Sequence, residues 1–295
     1  MFNHPRGESP DALVVCARRR SNSQLLFWLP MKSVIALFSA LLLFIADSAR
    51  AQSVPQKSGL PFAGETLTVS GKQAFLIASS VAPASGAKPW VLYAPTLNGL
   101  PGAAEKWMFQ RFLDAGISIA GIDVGESYGN PEGRACYSAL HSELTNHRGC
   151  SAKAVLLARS RGGLMTLAWA AENTDKVAAW AGIYPVTNIA SYPGVARAAS
   201  AYKTDAPGLT SQLADHNPID RLKPLAEARI PLFAIHGDSD KLVPLDKNSA
   251  IVKERYNALG GSMQLIIPEG QGHNMWTGFF ECQELVDFVK QHATR

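Results

Sequence analysis

Val155-Leu156-Leu157-Ala158-Arg159-Ser160-Arg161-Gly162-Gly163 is the stretch on which the reading of this chain turns. It opens as a short apolar strand pattern, breaks into a tight turn of small residues around a serine, and continues as a helical pattern. A sharp strand-to-helix turn holds the Ser160 hydroxyl clear of the chain, where a base can reach its proton. The usual form of such a turn is G-x-S-x-G, because the positions two before and two after the serine are crowded by neighbouring strand and helix. Here Ala158 fills the first of them and Gly162 the second. Taken alone, the stretch also fits an ordinary helix N-cap serine.

Two further strand patterns end in loops with chemistry on them. Pro231-Leu232-Phe233-Ala234-Ile235 runs into His236-Gly237-Asp238-Ser239-Asp240-Lys241-Leu242-Val243-Pro244, which places a carboxylate at the strand's C-terminal edge. Met263 to Pro268 runs into Glu269-Gly270-Gln271-Gly272-His273-Asn274, which places an imidazole in a glycine-bracketed loop. Serine, aspartate and histidine follow one another in that order. The interval from 160 to 240 leaves room for several elements, and that from 240 to 273 for one helix. Such an order of nucleophile, acid and base is the one found in α/β-hydrolases.

From about Lys88 to His292 the chain resembles the α/β-hydrolase superfamily, particularly the small esterases related to the prolyl-oligopeptidase-type and dienelactone-hydrolase-type catalytic domains. HGDSDKLVP matches that group's H-G-x-x-D-x-x-V-P pattern, in which the second aspartate is the triad acid, and QGHN matches its G-H loop. The resemblance therefore implies a catalytic triad of Ser160, Asp240 and His273, with Asp238 as a loop-bracing acceptor. It implies an oxyanion hole formed by the N–H of Arg161, the residue after the nucleophile, and by that of Thr96 or, with a one-residue shift, Leu97. The His-Gly turn that the family carries at the latter position is replaced here by Ala94-Pro95.

Other readings of these residues stay open at this stage. His236 at a strand end is expected to be structural, with its ring nitrogens bonded to backbone. His236-x-Asp238-x-Asp240 also has the residue types of a metal site, although no second cluster of ligand spacing accompanies it. Arg159 and Arg161 flank the serine; Arg161 is a candidate for assisting the oxyanion or pairing with a substrate carboxylate, the alternative being a salt bridge to Asp123 or Glu126. The loop Asp123 to Gly129 offers polar groups to a substrate, or else caps a helix through its Asp and Glu. Trp276 either lines the pocket or packs on the final helix.

Composition fits a single globular enzyme: 295 residues, 47% hydrophobic and 18% charged. The N-terminus is expected to stand apart. Met31-Lys32, the apolar run Val34 to Ala46 and Ala49-Arg50-Ala51 have the charged start, short hydrophobic region and A-x-A site of a signal peptide. Initiation at Met31 and cleavage after Ala51 are expected, giving a leader over 1–51 and a hydrolase domain over 52–295. The apolar run falls short of the roughly 20 residues that span a bilayer, so the reading is export to the periplasm or medium without a stable anchor. The leader holds six of the 28 basic and three of the 24 acidic residues. The remaining charge is +1, which leaves no electrostatic footprint for nucleic acid. Cys136 and Cys150 flank one expected helix and are a candidate disulfide in an oxidising compartment, while Cys282 reads as a buried thiol.

The rest of the chain alternates. Glu65 to Ser70 and Gln73 to Ser80 form an expected hairpin; strands are then expected at Trp90 to Ala94, Ser118 to Asp123, Ala154 to Ala158 and Val177 to Tyr184. Helices fall between them at Ala103 to Ala115, Arg134 to Asn146 and Gly162 to Asn173. This pattern predicts a mostly parallel sheet with helices on both faces and an antiparallel N-terminal hairpin. A short cap is expected between Pro185 and Pro224. The expected function is acyl transfer from carboxylic esters, with small acyl groups on carbohydrate or other small polar molecules named by family analogy, and with no cofactor or metal. A serine peptidase of the prolyl-oligopeptidase type is the alternative within hydrolases, and a non-catalytic ligand-binding homologue is the alternative outside enzymes.

Overall fold

Unbroken runs of Val, Ile, Leu, Ala and aromatic residues suit strands covered on both faces, and they form the sheet. The computed structural model describes residues 59–83 and 86–294. The expected leader, its start at Met31 and its cleavage after Ala51 lie outside the described residues. Among those residues the strands are β1 (Glu65–Val69), β2 (Lys72–Ile77), β3 (Trp90–Ala94), β4 (Ser118–Ile122), β5 (Ala154–Arg159), β6 (Val177–Ile183), β7 (Leu232–Ile235) and β8 (Met263–Ile266). They form one sheet in the order β1-β2-β4-β3-β5-β6-β7-β8. β1 and β2 are antiparallel, β2 runs antiparallel to β4, and every later pairing is parallel.

Alternation along each strand feeds two cores. Trp90, Leu92, Leu156 and Trp180 point to one face and meet Leu140, Trp169 and Tyr256 from α2 (Pro131–His147), α3 (Gly162–Glu172) and α4 (Ser249–Ala258). Val91, Tyr93, Val155, Leu157 and Phe233 point to the other and meet Phe109, Phe112, Leu285 and Phe288 from α1 (Lys106–Asp114) and α5 (Gln283–Ala293). Each fully buried side chain of this kind contributes about 1.5–3 kcal/mol. Because β3, β5, β6, β7 and β8 are parallel, their C-terminal loops gather at one edge, where chemistry collects in open parallel sheets.

The segment after β6 lacks strands, as expected, and folds as short helical turns at Val195–Ala198, Ala206–Ser211 and Leu213–His216. They close over a small apolar cluster of Leu164, Val186, Ile189, Ala198, Ala199, Leu209 and Val243. This is the short cap.

Two expectations need correction. First, α2 starts at Pro131 rather than Arg134, and its cap is Asn130, whose Oδ1 accepts the Gly133 N–H at 2.7 Å. Asp123 and Glu126 do not cap it; Asp123 Oδ1 accepts the Gly125 N–H within its own turn at 2.8 Å. Second, Cys136, Cys150 and Cys282 are all free thiols, so the candidate bridge is absent. The reason is the helix itself. Cys150 folds back so that its N–H donates to the Leu144 carbonyl at 3.1 Å, yet Leu144 stands eight residues, roughly 12 Å of helix axis, beyond Cys136. A disulfide needs Cα atoms about 4.4–6.8 Å apart.

Candidate active site

Ser160 follows the last residue of β5 and carries φ +49°, a left-handed value that most side chains avoid. The turn is held by three backbone bonds: Ser160 N–H to the Ile183 carbonyl, and the Gly163 and Val186 N–H groups to the Ser160 carbonyl. It also explains the glycines. A Cβ on Gly162 would sit 2.1 Å from the Ala94 carbonyl oxygen, and one on Gly163 2.3 Å from that of Val186. The serine is thus pushed out of a turn whose far side touches two neighbouring loops.

Three distant side chains meet there. Ser160 Oγ lies 2.9 Å from His273 Nε2, and His273 Nδ1 lies 2.7 Å from Asp240 Oδ2. With Nδ1 donating to the carboxylate, Nε2 is left as the acceptor for the serine proton. The other carboxylate oxygen, Asp240 Oδ1, accepts the N–H groups of Leu242 at 3.0 Å and Val243 at 2.8 Å. Burial pushes the Asp240 carboxyl up, but the bonds from His236, His273 and the Val243 N–H outweigh it and hold the group well below the usual carboxylate range. An ionised Asp240 therefore faces the His273 imidazole at neutral pH.

Asp238 and His236 have separate duties. Asp238 Oδ1 accepts the Gly270 N–H at 2.8 Å and ties the aspartate loop to the histidine loop. His236 is fully buried; Nδ1 pairs with Ser249 Oγ at 2.8 Å and Nε2 with the Val243 carbonyl at 2.9 Å, 3.3 Å from Asp240 Oδ2. Both ring nitrogens are occupied by protein partners and Asp238 is turned to a different one, an arrangement unlike a shared ligand set.

Beneath the triad lies a charged network that the sequence did not disclose. Arg159 Nη1 bonds Glu105 Oε1 at 2.7 Å, Nε donates to the Tyr184 hydroxyl at 3.2 Å, and Nη2 meets Met275 Sδ at 2.9 Å. Glu105 has no exposed surface and also accepts from Tyr93 Oη at 2.8 Å and the Gly102 N–H at 2.9 Å. The Tyr184 ring stands against His273, with ring centroids 4.3 Å apart. Arg159 so fixes Tyr184, and Tyr184 backs the imidazole. Replacing Arg159 by Met leaves the Glu105 carboxylate buried without its counter-charge, which costs about 3–5 kcal/mol. Urea unfolding at pH 7 is the measurement; an unchanged midpoint would mean that the pair contributes nothing net.

The open side of Ser160 is a cleft of about 260 Å³ lined by Pro95, Leu100, Arg161, Tyr192, Leu242 and Met275, among others. Among the described residues the N–H groups of Arg161, Thr96 and Leu97 make no hydrogen bond to a protein acceptor; Arg161 lines the cleft, whereas Thr96 and Leu97 are not among its lining residues. The Thr96 side chain is buried and its hydroxyl turns back to the Tyr93 carbonyl at 3.3 Å. Arg161 Nε lies 3.2 Å from Glu126 Oε2, within ion-pair range but without hydrogen-bond geometry, and Nε is buried without an acceptor. Of the two partners the sequence offers Arg161, Glu126 is the one it meets. Trp276 packs edge-on against Phe279 at 5.3 Å and does not line the cleft; the preceding Met275 does. Tyr184, Glu105 and Met275 are the site residues sequence reasoning missed; the buried Tyr184 directly after β6 was the one with a signal, its place at a strand's C-terminal end.

A comparison with family models matches residues 141–294 to the prolyl oligopeptidase family. A comparison with curated proteins finds no match. Among solved structures, a puromycin-hydrolyzing peptidase of Mycobacterium tuberculosis superposes with a TM-score of 0.62 at 17% identity over 78% of this chain and 39% of that one. The acylaminoacyl peptidase of Pyrococcus horikoshii gives 0.63 at 15% identity over 79% of this chain and 42% of that one. M. tuberculosis MPT51 gives 0.58 at 16% identity over 79% of this chain and 99% of its own. This chain thus spans well under half the length of those two peptidases, and likeness at such identities shows the shared α/β-hydrolase fold. With more than half of its length matched by the family model, the chain belongs to the prolyl oligopeptidase family, a family of serine hydrolases.

Proposed function

We propose that this protein is an exported carboxylic ester hydrolase that works through an acyl-enzyme on Ser160. The observation that carries the reading is the unbroken line from Asp240 through His273 to Ser160 Oγ, with contacts of 2.7 and 2.9 Å. Ser160 Oγ bonds to the ester carbonyl carbon as its proton passes to His273 Nε2, and Asp240 steadies the imidazolium. The carbon–oxygen bond to the alcohol then breaks, and the alcohol oxygen takes that proton. Water repeats the sequence on the acyl-enzyme: it gives its proton to His273, the acid leaves, and Ser160 regains its hydrogen. The backbone N–H of Arg161, with that of Thr96 or Leu97, receives the charge that builds on the carbonyl oxygen.

A cleft of about 260 Å³ favours short acyl groups, in keeping with carbohydrate or other small polar esters. The mature charge of +1 supports a small-molecule partner rather than nucleic acid, and the leader pattern supports release into the periplasm or medium. N-terminal sequencing of exported protein should begin at Gln52. Peptide-bond cleavage is the second reading, favoured by the peptidases among the structural neighbours.

Labelling with a fluorophosphonate tests the nucleophile: modification mapped to Ser160 supports an enzyme, and an unlabelled folded protein supports a binding homologue. Chromogenic esters of rising chain length, run beside aminoacyl anilides, separate ester from peptide chemistry. Arg161→Met should raise KM for acidic esters roughly tenfold by removing the guanidinium at the cleft wall. Unchanged turnover of neutral and acidic esters alike would end any side-chain role for Arg161.

A further inference from the structure

Thiolates and exposed thioethers are the side chains that peroxides oxidise first, and the described residues offer few of either. Burial pushes the thiols of Cys136, Cys150 and Cys282 above the ordinary thiol value, which keeps them protonated at neutral pH. Met108, Met165 and Met263 are buried in the two cores. Met275 is 56% exposed.

Its position ties it to the reacting groups. Met275 stands two residues after the base and lines the catalytic cleft together with His273 and Asn274. Its sulfur lies 2.9 Å from Arg159 Nη2. That guanidinium is not free to follow a displaced sulfur, because Nη1 is bonded to the buried Glu105, Nε to the Tyr184 hydroxyl, and the group lies 4.9 Å over the Phe280 ring. Tyr184 in turn stands against the His273 imidazole. On the other side the segment is anchored by Trp276, whose N–H donates to Asn274 Oδ1 and whose ring packs on Phe279.

Oxidation changes the contact with Arg159. A thioether sulfur is a weak acceptor, whereas a sulfoxide oxygen facing a guanidinium makes a charge-assisted bond. At 2.9 Å the gap between sulfur and Nη2 is already about the length of one such hydrogen bond, so no oxygen fits between them. Either the sulfur withdraws to let its oxygen meet Arg159, or the oxygen turns into the cleft. The first shifts the short segment that ends in His273; the second sets a polar group against the approach to Ser160.

We propose that Met275 is an oxidation site at the mouth of the catalytic cleft, converted by a peroxide to the sulfoxide, which slows reaction at Ser160 until the sulfoxide is reduced. A sulfur lone pair bonds to one peroxide oxygen as the O–O bond breaks, and the other oxygen leaves as water with the peroxide's protons. Sulfur loses two electrons and the peroxide gains them. A methionine sulfoxide reductase supplied with a thiol reverses the change, the oxygen leaving as water and the thiol becoming a disulfide. The effect on rate rests on Ser160 as the nucleophile and not on which bond it cleaves.

The test treats the protein with hydrogen peroxide, maps the added oxygen by mass spectrometry and measures the rate of fluorophosphonate labelling at Ser160. Met275 should take up oxygen before the other described methionines, and labelling should slow about tenfold as it does so, the scale of a small misplacement at a reacting centre. Thiol alone should not restore the rate; thiol with both methionine sulfoxide reductases should. Met275→Leu, whatever its starting rate, should keep that rate through the same treatment. An unmodified Met275, a modified Met275 with unchanged labelling, recovery with thiol alone, or equal loss in Met275→Leu would each overturn the proposal. Should the leucine variant fail to fold, recovery with the reductases in the parent decides. If untreated protein takes no label, the nucleophile reading falls instead. The His273 imidazole NMR signal, assigned with His273→Gln, then decides: a shift on oxidation of Met275 upholds the coupling and an unmoved signal overturns it.

Discussion

Ser160→Ala is expected to lower kcat by about 10⁶ while leaving the folded protein intact, since the nucleophile of a serine triad acts as one unit with its base. The variant keeps the turn: alanine has a Cβ like serine, so the φ of +49° carries no new clash, and the three backbone bonds around residue 160 do not involve the hydroxyl. Its unfolding midpoint should therefore match the parent's, and its fluorophosphonate labelling should vanish. Measuring both matters, because a loss of activity with a loss of stability would say nothing about chemistry. Residual turnover above about one part in a hundred, well outside what a triad serine allows, would mean that another group attacks the substrate.

Asp240→Asn should cost about 10⁴ in kcat. The asparagine amide turned toward His273 Nδ1 donates rather than accepts, which fixes the imidazole proton on Nε2 and leaves nothing to receive the hydrogen of Ser160. Asp238→Asn is the control; Asp238 reaches Gly270 and not His273, so its loss should loosen the loop and reduce kcat only a few-fold. Equal losses in the two variants would reverse the assignment. Acid behaviour gives a second readout. The carboxyl of Asp240 is depressed in the folded protein, so its stabilisation is present above the unfolded-state value of about 3.9 and drains away as pH falls from there toward the folded value. Urea midpoints at pH 7 and pH 3 should differ more in the parent than in Asp240→Asn.

Much of this architecture could be read from the letters because fully buried parallel strands print as unbroken apolar runs. Trp90–Ala94 matched residue for residue, and the others shifted only at their ends. The serine, aspartate and histidine were legible since each sits at the end of such a run, where a parallel sheet collects its loops. Asn130-Pro131 was a legible helix start that the expected boundary at Arg134 passed over: a capping side chain followed by proline in the first turn. The Glu105–Arg159 pair was not legible at all. Its members are 54 residues apart on different elements, and no periodicity or local preference links a glutamate before α1 to an arginine at the end of β5. The thiols failed for the opposite reason: the sequence showed two cysteines flanking a helix, and only the rigid length of that helix keeps them apart.

Val243 joins two parts of the molecule that look independent. Its side chain belongs to the cluster under the cap, its N–H steadies Asp240, and its carbonyl holds His236. Heat that loosens the cap is therefore expected to misalign the acid before the sheet melts, so that on a temperature ramp loss of activity should precede global unfolding. Tightening the cap core around Leu209 and Ala198 is then a route to a longer working life at elevated temperature that leaves every reacting atom untouched.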